Sequence, residues 1–443
     1  MFESADYQEN VKRSLDLADK WHQRECAMKA PLVMCFVFMM MLHRSLSLAD
    51  LVVKLLFQYR SELPDLSLRA VTTEALCHAR RRLGPEPLRL FFQAQAARVR
   101  PTPGPLGLRI WAIDGVAFSV ADTPSNEAHF GRPKASRGET AFPQFKAVTL
   151  VDTTSRQIGG VVNLPPKGSE RDGAVALLER VPTGDMVVLD RGYPAAWLFK
   201  LCKKKRIRVV ARISGSWKPT LVKTLGVGDC IVEIRGEVPE AYRESLEESK
   251  RVSLRMRMVE YQIGDHERVS LLTDLMDPKR YPAVEIAKAY HLRWECEISY
   301  DEVKNHLAAV ATGGLDLVFR SKTPDGVLQE LYALLALYNM VRGLMAEAGR
   351  RHGVNPLDIS FISTIRIIQE TTPRYQAADE DQRPRIVDQL HKDIADLQNH
   401  RPRRPRQCPR AVRIKMTKFP LKRSHHYERQ LHADQALRMR GGR

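Results

Sequence analysis

The chain has 443 residues, 44% of them apolar, which is more than one core needs when a domain averages about 100–200 residues. Seventy Lys and Arg against 52 Asp and Glu leave a formal net charge of +18, a bias that draws polyanions and makes nucleic acid the leading partner. The longest apolar run, residues 32–42, is about half the roughly 20 residues of a membrane span, and no basic amphipathic anchor is evident, so no membrane partner is expected. Seven scattered cysteines, none in a pair with metal-ligand spacing, read as reduced thiols of a cytoplasmic protein.

From residue 10 to 99 apolar residues recur at three- and four-residue intervals, so residues 1–100 are expected to form an all-helical domain. Ser47 is placed to cap one of its helices, and Thr72 or Thr73 to cap another that carries Arg80, Arg81 and Arg82. Those arginines are candidates for phosphate contacts, with a solvated helix face as the equal alternative. Pro101, Pro103, Gly104, Pro105 and Gly107 then mark a linker over 101–107.

Strands are predicted at 108–120, 145–152 and 158–164, a helix at 172–181, a strand at 186–190, a helix at 195–205 and a strand at 208–213. This order suits a mixed sheet flanked by helices over 108–214, an α/β core. Residues 215–282 return to a period near two and form a β-rich insertion. One helix without Gly or Pro is expected from 283 to 307, opened by Pro282, within a second part of the core over 283–350. Further helices and a basic tail fill 351–443, where residues 401–443 carry 14 Lys and Arg against 2 acids.

Asp114 follows the apolar run 110–113, and Asp190 follows the apolar run 186–189. Two strand-end carboxylates joined by a third from a helix can hold a pair of divalent ions about 3.5–4 Å apart for phosphoryl transfer. All-oxygen ligands favour Mg²⁺ or Mn²⁺ over Zn²⁺. The third acid is Glu297: Tyr290, Arg293, Glu297 and Lys304 stand 3, 4 and 7 residues apart, which on a helix places all four within about 60° of one face. Glu295 and Glu302 fall on the far side, and Asp301 is a lesser rival. A helix of ordinary charge pairs, Arg293 with Glu297, is the plainer alternative. Asp122, Asp152 and Asp185 lie in predicted turns and are read as structural, and His425, His426 and His432 as part of a solvated basic tail.

With these residues in view, the chain resembles the DDE transposases of the insertion-sequence-4 family, whose signature helix carries Tyr, two residues, Arg, three residues, Glu, six residues and Lys. Tyr290, Arg293, Glu297 and Lys304 match it without a gap. The resemblance extends to residues 113–115, 122–126, 130–133, 141–144 and 189–193, and more weakly to 79–84 and 418–422. It implies an RNase H-like core with the β-rich insertion between the second Asp and the Glu. It also implies that Asp114, Asp190 and Glu297 hold two Mg²⁺ or Mn²⁺ ions, while Tyr290, Arg293 and Lys304 contact phosphates of double-stranded DNA at the element's terminal inverted repeats. Members commonly cut through a hairpin with a base flipped onto an aromatic ring, for which Trp217 and Trp294 are candidates beside the commoner reading of core packing. A homodimer on paired DNA ends, target DNA and a bacterial nucleoid location complete what the resemblance implies. Two other functions stay open: an RNase H-type nuclease that cuts without joining, and a non-catalytic basic DNA-binding regulator.

Overall fold

The computed structural model describes residues 5–21, 28–58, 71–135, 138–166, 168–247, 250–262, 268–307, 317–398 and 438–439. Among the described residues five helices come first: α1 (Ala5–Leu17), α2 (Ala30–Leu42), α3 (Leu48–Gln58), α4 (Thr73–Leu83) and α5 (Glu86–Ala96). Apart from Leu42, the run 32–42 is buried throughout α2, as a helix apolar on every side must be. Ser47 Oγ accepts from Asp50 N at 3.1 Å ahead of α3, and Thr72 Oγ1 from Ala75 N at 3.1 Å, so Thr72 rather than Thr73 caps α4.

After the proline-rich connection come β1 (Ile110–Val120), α6 (Pro124–Phe130), the short pair β2 (Lys134–Ala135) and β3 (Gly138–Glu139), β4 (Gln144–Asp152), β5 (Ile158–Leu164), α7 (Glu170–Leu178), β6 (Met186–Leu189), α8 (Ala196–Lys204) and β7 (Arg208–Ile213). The central sheet runs β5-β4-β1-β6-β7. β4 is antiparallel to both of its neighbours, β1 and β5, whereas β6 and β7 run parallel to β1. Along β1, Ile110 and Ala112 enter one core while Trp111 and Ile113 enter the other, which explains an apolar run with no alternation. One face packs on α7 and α8 through Leu177, Trp197 and Phe199. The other core is shared by the N-terminal helices, the helices that follow the insertion and the C-terminal helices, so the linker does not separate two cores.

The insertion comprises β8 (Thr220–Gly226), β9 (Asp229–Glu237), α9 (Glu240–Leu246), β10 (Arg251–Gln262) and β11 (Arg268–Thr273). It is not a separate body: β11 pairs antiparallel with β7, so the meander extends the same sheet. Arg257, fully buried, binds Asp229 through Nε at 2.7 Å and Nη2 at 2.6 Å and donates Nη1 to the carbonyls of Leu275 and Tyr281. That clamp fixes the insertion against the start of the next helix.

α10 (Ala283–His291), α11 (Trp294–Asp301) and a π-helical turn (Glu302–Leu307) follow, then β12 (Val318–Phe319) beside the end of β1, α12 (Pro324–His352), α13 (Phe361–Ala377) and α14 (Arg383–Asp396). The single helix expected over 283–307 is thus broken twice. Arg293 N bonds to Tyr290 O and Cys296 N to Arg293 O, each at 3.0 Å, a tight turn that no Gly or Pro announces. Of the basic tail, residues 438–439 form β13 (Arg438–Met439) against the end of β10; the rest, including Lys418, Lys422 and the three tail histidines, lies outside the described residues. Among the described residues no helix is long and apolar enough to cross a membrane.

Candidate active site

The pairing of β1 with β6 ends at Ile113 opposite Leu189, so Asp114 and Asp190 come next on two adjacent parallel strands. Asp190 leaves the sheet there. Asp114 does not: in keeping with the strand predicted over 108–120, β1 continues to Val120 on its other side against β4, with Asp114 opposite Thr149, so Asp114 is not a strand-end carboxylate. The carboxylate therefore sits where the sheet opens rather than where the strand stops.

Two signature residues, Tyr290 and Arg293, meet these acids despite the broken helix, and Arg293 joins the third, Glu297, to them. Arg293, 6% exposed, donates Nη1 to Asp114 Oδ2 at 3.3 Å and Nη2 to Glu297 Oε1 at 2.7 Å, standing between the two carboxylates. Tyr290 OH reaches Asp190 Oδ1 at 3.4 Å, a long bond. Burial first, and then the Asp190 charge, push the Tyr290 hydroxyl up to about 12, so it remains a donor at neutral pH. Burial pulls Arg293 down, but pairing with Glu297 and the nearby Asp190 charge more than offset it and hold the guanidinium above its ordinary value. Its Nε is buried with no hydrogen-bond partner among the described residues.

Burial raises the Asp114 carboxyl to about 6; the Gly115 N–H, which donates to Oδ1 at 2.8 Å, and Arg293 lower it, while Asp190 and Glu170 raise it. Tyr300, unmarked by the sequence pattern, pins α11 to β1 by donating its hydroxyl to the Asp114 carbonyl at 2.8 Å and meeting Thr149 Oγ1 at 2.8 Å.

Lys304 is not with the others. The π-helical turn carries its Nζ to 5.2 Å from the Phe118 ring, farther along β1, where burial lowers its pKa. Glu295 and Glu302 point away as helix geometry required. Glu295 pairs with Arg156 Nε at 2.5 Å, and the buried Glu302 accepts from Arg342 Nε at 2.9 Å, Tyr338 OH at 2.9 Å and Arg156 Nη1 at 3.2 Å. Asp301 is exposed and accepts from Asn305. Asp122, Asp152 and Asp185 are occupied by Arg132, by Ser155 and Thr154, and by Trp111.

Arg80 requires correction as a phosphate contact: it turns inward, donating Nε to Gln329 at 3.1 Å and Nη2 to Ser321 at 3.0 Å, while Arg81 and Arg82 remain exposed. Trp294 is 53% exposed rather than packed, with the Arg293 guanidinium 5.2 Å from its ring. Trp217 is half-buried against Phe199 and lines a pocket of about 430 Å³ with Arg171, Lys218 and Arg235.

An aspartate where β1 parts from β6, a second at the end of β6, a glutamate on the following helix tied to the first by a guanidinium, and a strongly basic chain are what an enzyme of metal-assisted DNA strand chemistry needs. A family profile described as Transposase DDE domain matches residues 105–340, and one described as Insertion element 4 transposase N-terminal matches residues 3–93. The chain is 30% identical over 360 residues to Transposase InsG for insertion sequence element IS4 of Escherichia coli (strain K12), covering 79% of this chain and 78% of that protein. It is 26% identical over 133 residues to Putative transposase InsZ of the same strain, covering 29% of this chain and 44% of that protein. Among solved structures, the piggyBac transposase synaptic complex with hairpin DNA aligns at 11% identity and a TM-score of 0.42, over 89% of this chain and 78% of that chain. The protein belongs to the IS4 family of DDE transposases, enzymes that act on DNA and generally use divalent metal ions.

Proposed function

We propose that the protein binds the terminal inverted repeats of its own insertion element, cuts there and joins the freed ends to target DNA, with two Mg²⁺ or Mn²⁺ ions held by Asp114, Asp190 and Glu297. The observation that carries this reading is that Tyr290 meets Asp190 and Arg293 meets Asp114, with Arg293 joining Glu297 to the pair. The donor set is all carboxylate oxygen, which suits hard divalent cations. Among the described residues no three acids, His or Cys are close enough to share an ion, and the Arg293 guanidinium stands between two of the three acids, so its displacement is part of this reading. When bound, the ions would activate the attacking oxygen and stabilise the leaving one.

The chain's own groups supply the rest. Arg293 offers a planar fork and an unsatisfied Nε, both suited to a DNA phosphate, and a phosphate that takes the guanidinium releases Asp114 and Glu297. Tyr290 keeps its proton and donates. Lys304, beside Phe118, serves a phosphate farther from the cut, and Arg81 and Arg82 serve the duplex beyond. A hairpin route places the flipped base on Trp217, whose pocket carries three basic side chains for the flanking phosphates; Trp294 is the second ring. Two protomers on paired ends suit the charge, because DNA neutralises what a +18 chain would otherwise present to its copy.

The test is a labelled duplex carrying an element end, incubated with target DNA and Mg²⁺ or Mn²⁺. This reading expects cut ends and joined products. Cutting without joining would indicate the nuclease, and binding without cutting the regulator.

A further inference from the structure

The residue after Asp114 is Gly115, and a β-carbon there would stand 2.8 Å from both Cδ and Oε1 of Glu170 and 3.1 Å from Oε2. Real β-carbons do not come that close to other heavy atoms, so the glycine leaves the space that the Glu170 carboxylate fills. Glu170 is the first residue of α7, whose capping residue Ser169 accepts from Arg171 N at 3.1 Å. Arg171 in turn donates Nε to the Tyr193 carbonyl at 3.1 Å, and Tyr193 N bonds to the Asp190 carbonyl at 3.1 Å. The first turn of α7 is thereby tied to the turn that carries Asp190, and its acid is held over the strand that carries Asp114.

The start of a helix favours an acid, but among the described residues no cationic side chain answers this one. Among the described residues Glu170 has no Lys, Arg or His at ion-pair distance, although most other acids near the site are paired. Its charge weighs on Asp114 and on Tyr193. The Tyr193 hydroxyl, in a side chain 1% exposed, finds no hydrogen-bond partner of good geometry even with Glu170 near. An unpaired acid brought against a half-buried acid, beside an orphaned buried hydroxyl, is an arrangement that a cation would stabilise.

We propose that Glu170 is a fourth acid of the active site, sharing a divalent cation with Asp114, and that Gly115 is small in order to admit it. The inference rests on the reading that Asp114 holds such an ion.

Mn²⁺ binding to the full chain, followed by electron paramagnetic resonance, tests it without reference to turnover. Three variants are compared: Glu170→Gln removes the charge, Gly115→Ala keeps the acid but displaces it, and Asp114→Asn tests the underlying reading. Because Glu170 is exposed and the alanine methyl meets only the end of a flexible side chain, both new variants should fold; thermal midpoints check this. The inference expects Glu170→Gln and Gly115→Ala each to weaken Mn²⁺ binding by about ten- to a hundredfold, the range for groups that support a metal site. A fourth protein that combines Glu170→Gln with Gly115→Ala should bind no more weakly than either single variant. If Asp114→Asn weakens binding while Glu170→Gln leaves it unchanged, the fourth acid is refuted and the reading of Asp114 stands. If Asp114→Asn also leaves binding unchanged, the reading of Asp114 fails and the inference falls with it. Should Gly115→Ala fail to fold, Glu170→Gln decides alone.

Discussion

Replacing Asp114 by Asn in the presence of a chelator should make the protein more stable at neutral pH. Burial, with smaller contributions from Asp190 and Glu170, lifts this carboxyl from 3.8 to about 6. A folded-state pKa above the unfolded one means that the folded chain holds the proton more tightly. Stability is therefore lost as pH rises from about 4 to 6, and the loss is complete above that window. A rise of this size corresponds to about 3 kcal/mol against the ionised form, and the side chain is only 19% accessible, so solvent screening removes little of it. Asparagine can still accept from the Gly115 N–H but carries no charge, so it should recover most of that figure at pH 7.5 and almost none at pH 4. The assay is urea unfolding at both pH values, read by fluorescence of the buried Trp111 of β1 and Trp197 of α8. Added Mn²⁺ should close the gap by stabilising the wild type alone. Equal effects at the two pH values, or a less stable variant at pH 7.5, would refute the account of a strained, cation-seeking acid.

Arg293→Gln should strengthen Mn²⁺ binding to the DNA-free protein by about a hundredfold or more, since hydrogen bonds to charged groups are worth roughly 1.5–3 kcal/mol and two are removed. The same variant should reduce the salt slope of end-DNA binding by about 1, the loss of one phosphate contact; unchanged metal affinity in titration would contradict it. Glu302→Ala strands the buried Arg342 and takes one of two acidic partners from Arg156, and should cost about 3–5 kcal/mol, seen as a lower thermal midpoint, whereas an unshifted midpoint would show that the buried network bears no weight. Light scattering after size exclusion should find a monomer without DNA and a dimer carrying two ends with it; a dimer formed equally well without DNA would count against pairing driven by charge neutralisation.

Much of the core was legible because its signals are local. The runs 110–113 and 186–189 each bury both faces and stop at an Asp, and the 3, 4 and 7 spacing names Tyr290, Arg293, Glu297 and Lys304 before any coordinates. What escaped depends on contacts between distant parts of the chain. The break between α10 and α11 is made by tight backbone turns in a segment of good helix formers, and it, with the π-helical turn, sends Lys304 to Phe118. Arg80 turns inward because Gln329 and Ser321, more than two hundred positions away, wait for it. Glu170 carries no motif of its own, and only the missing side chain at Gly115 reveals where its carboxylate goes. Trp294 looks like a core residue by type and is exposed because its helix turns the opposite face to the sheet.

The central claim is that Asp114, Asp190 and Glu297 form one metal-dependent centre that both cuts and joins DNA. The most direct measurement follows cleavage and joining of an element-end duplex by the full-length protein and by the three single Ala variants, with end binding measured in parallel. The account predicts that each variant loses both reactions while binding the end within a few-fold of wild type, because affinity comes chiefly from the basic contacts. A variant that cuts at the wild-type rate, or a wild-type protein that cuts and never joins, would contradict it.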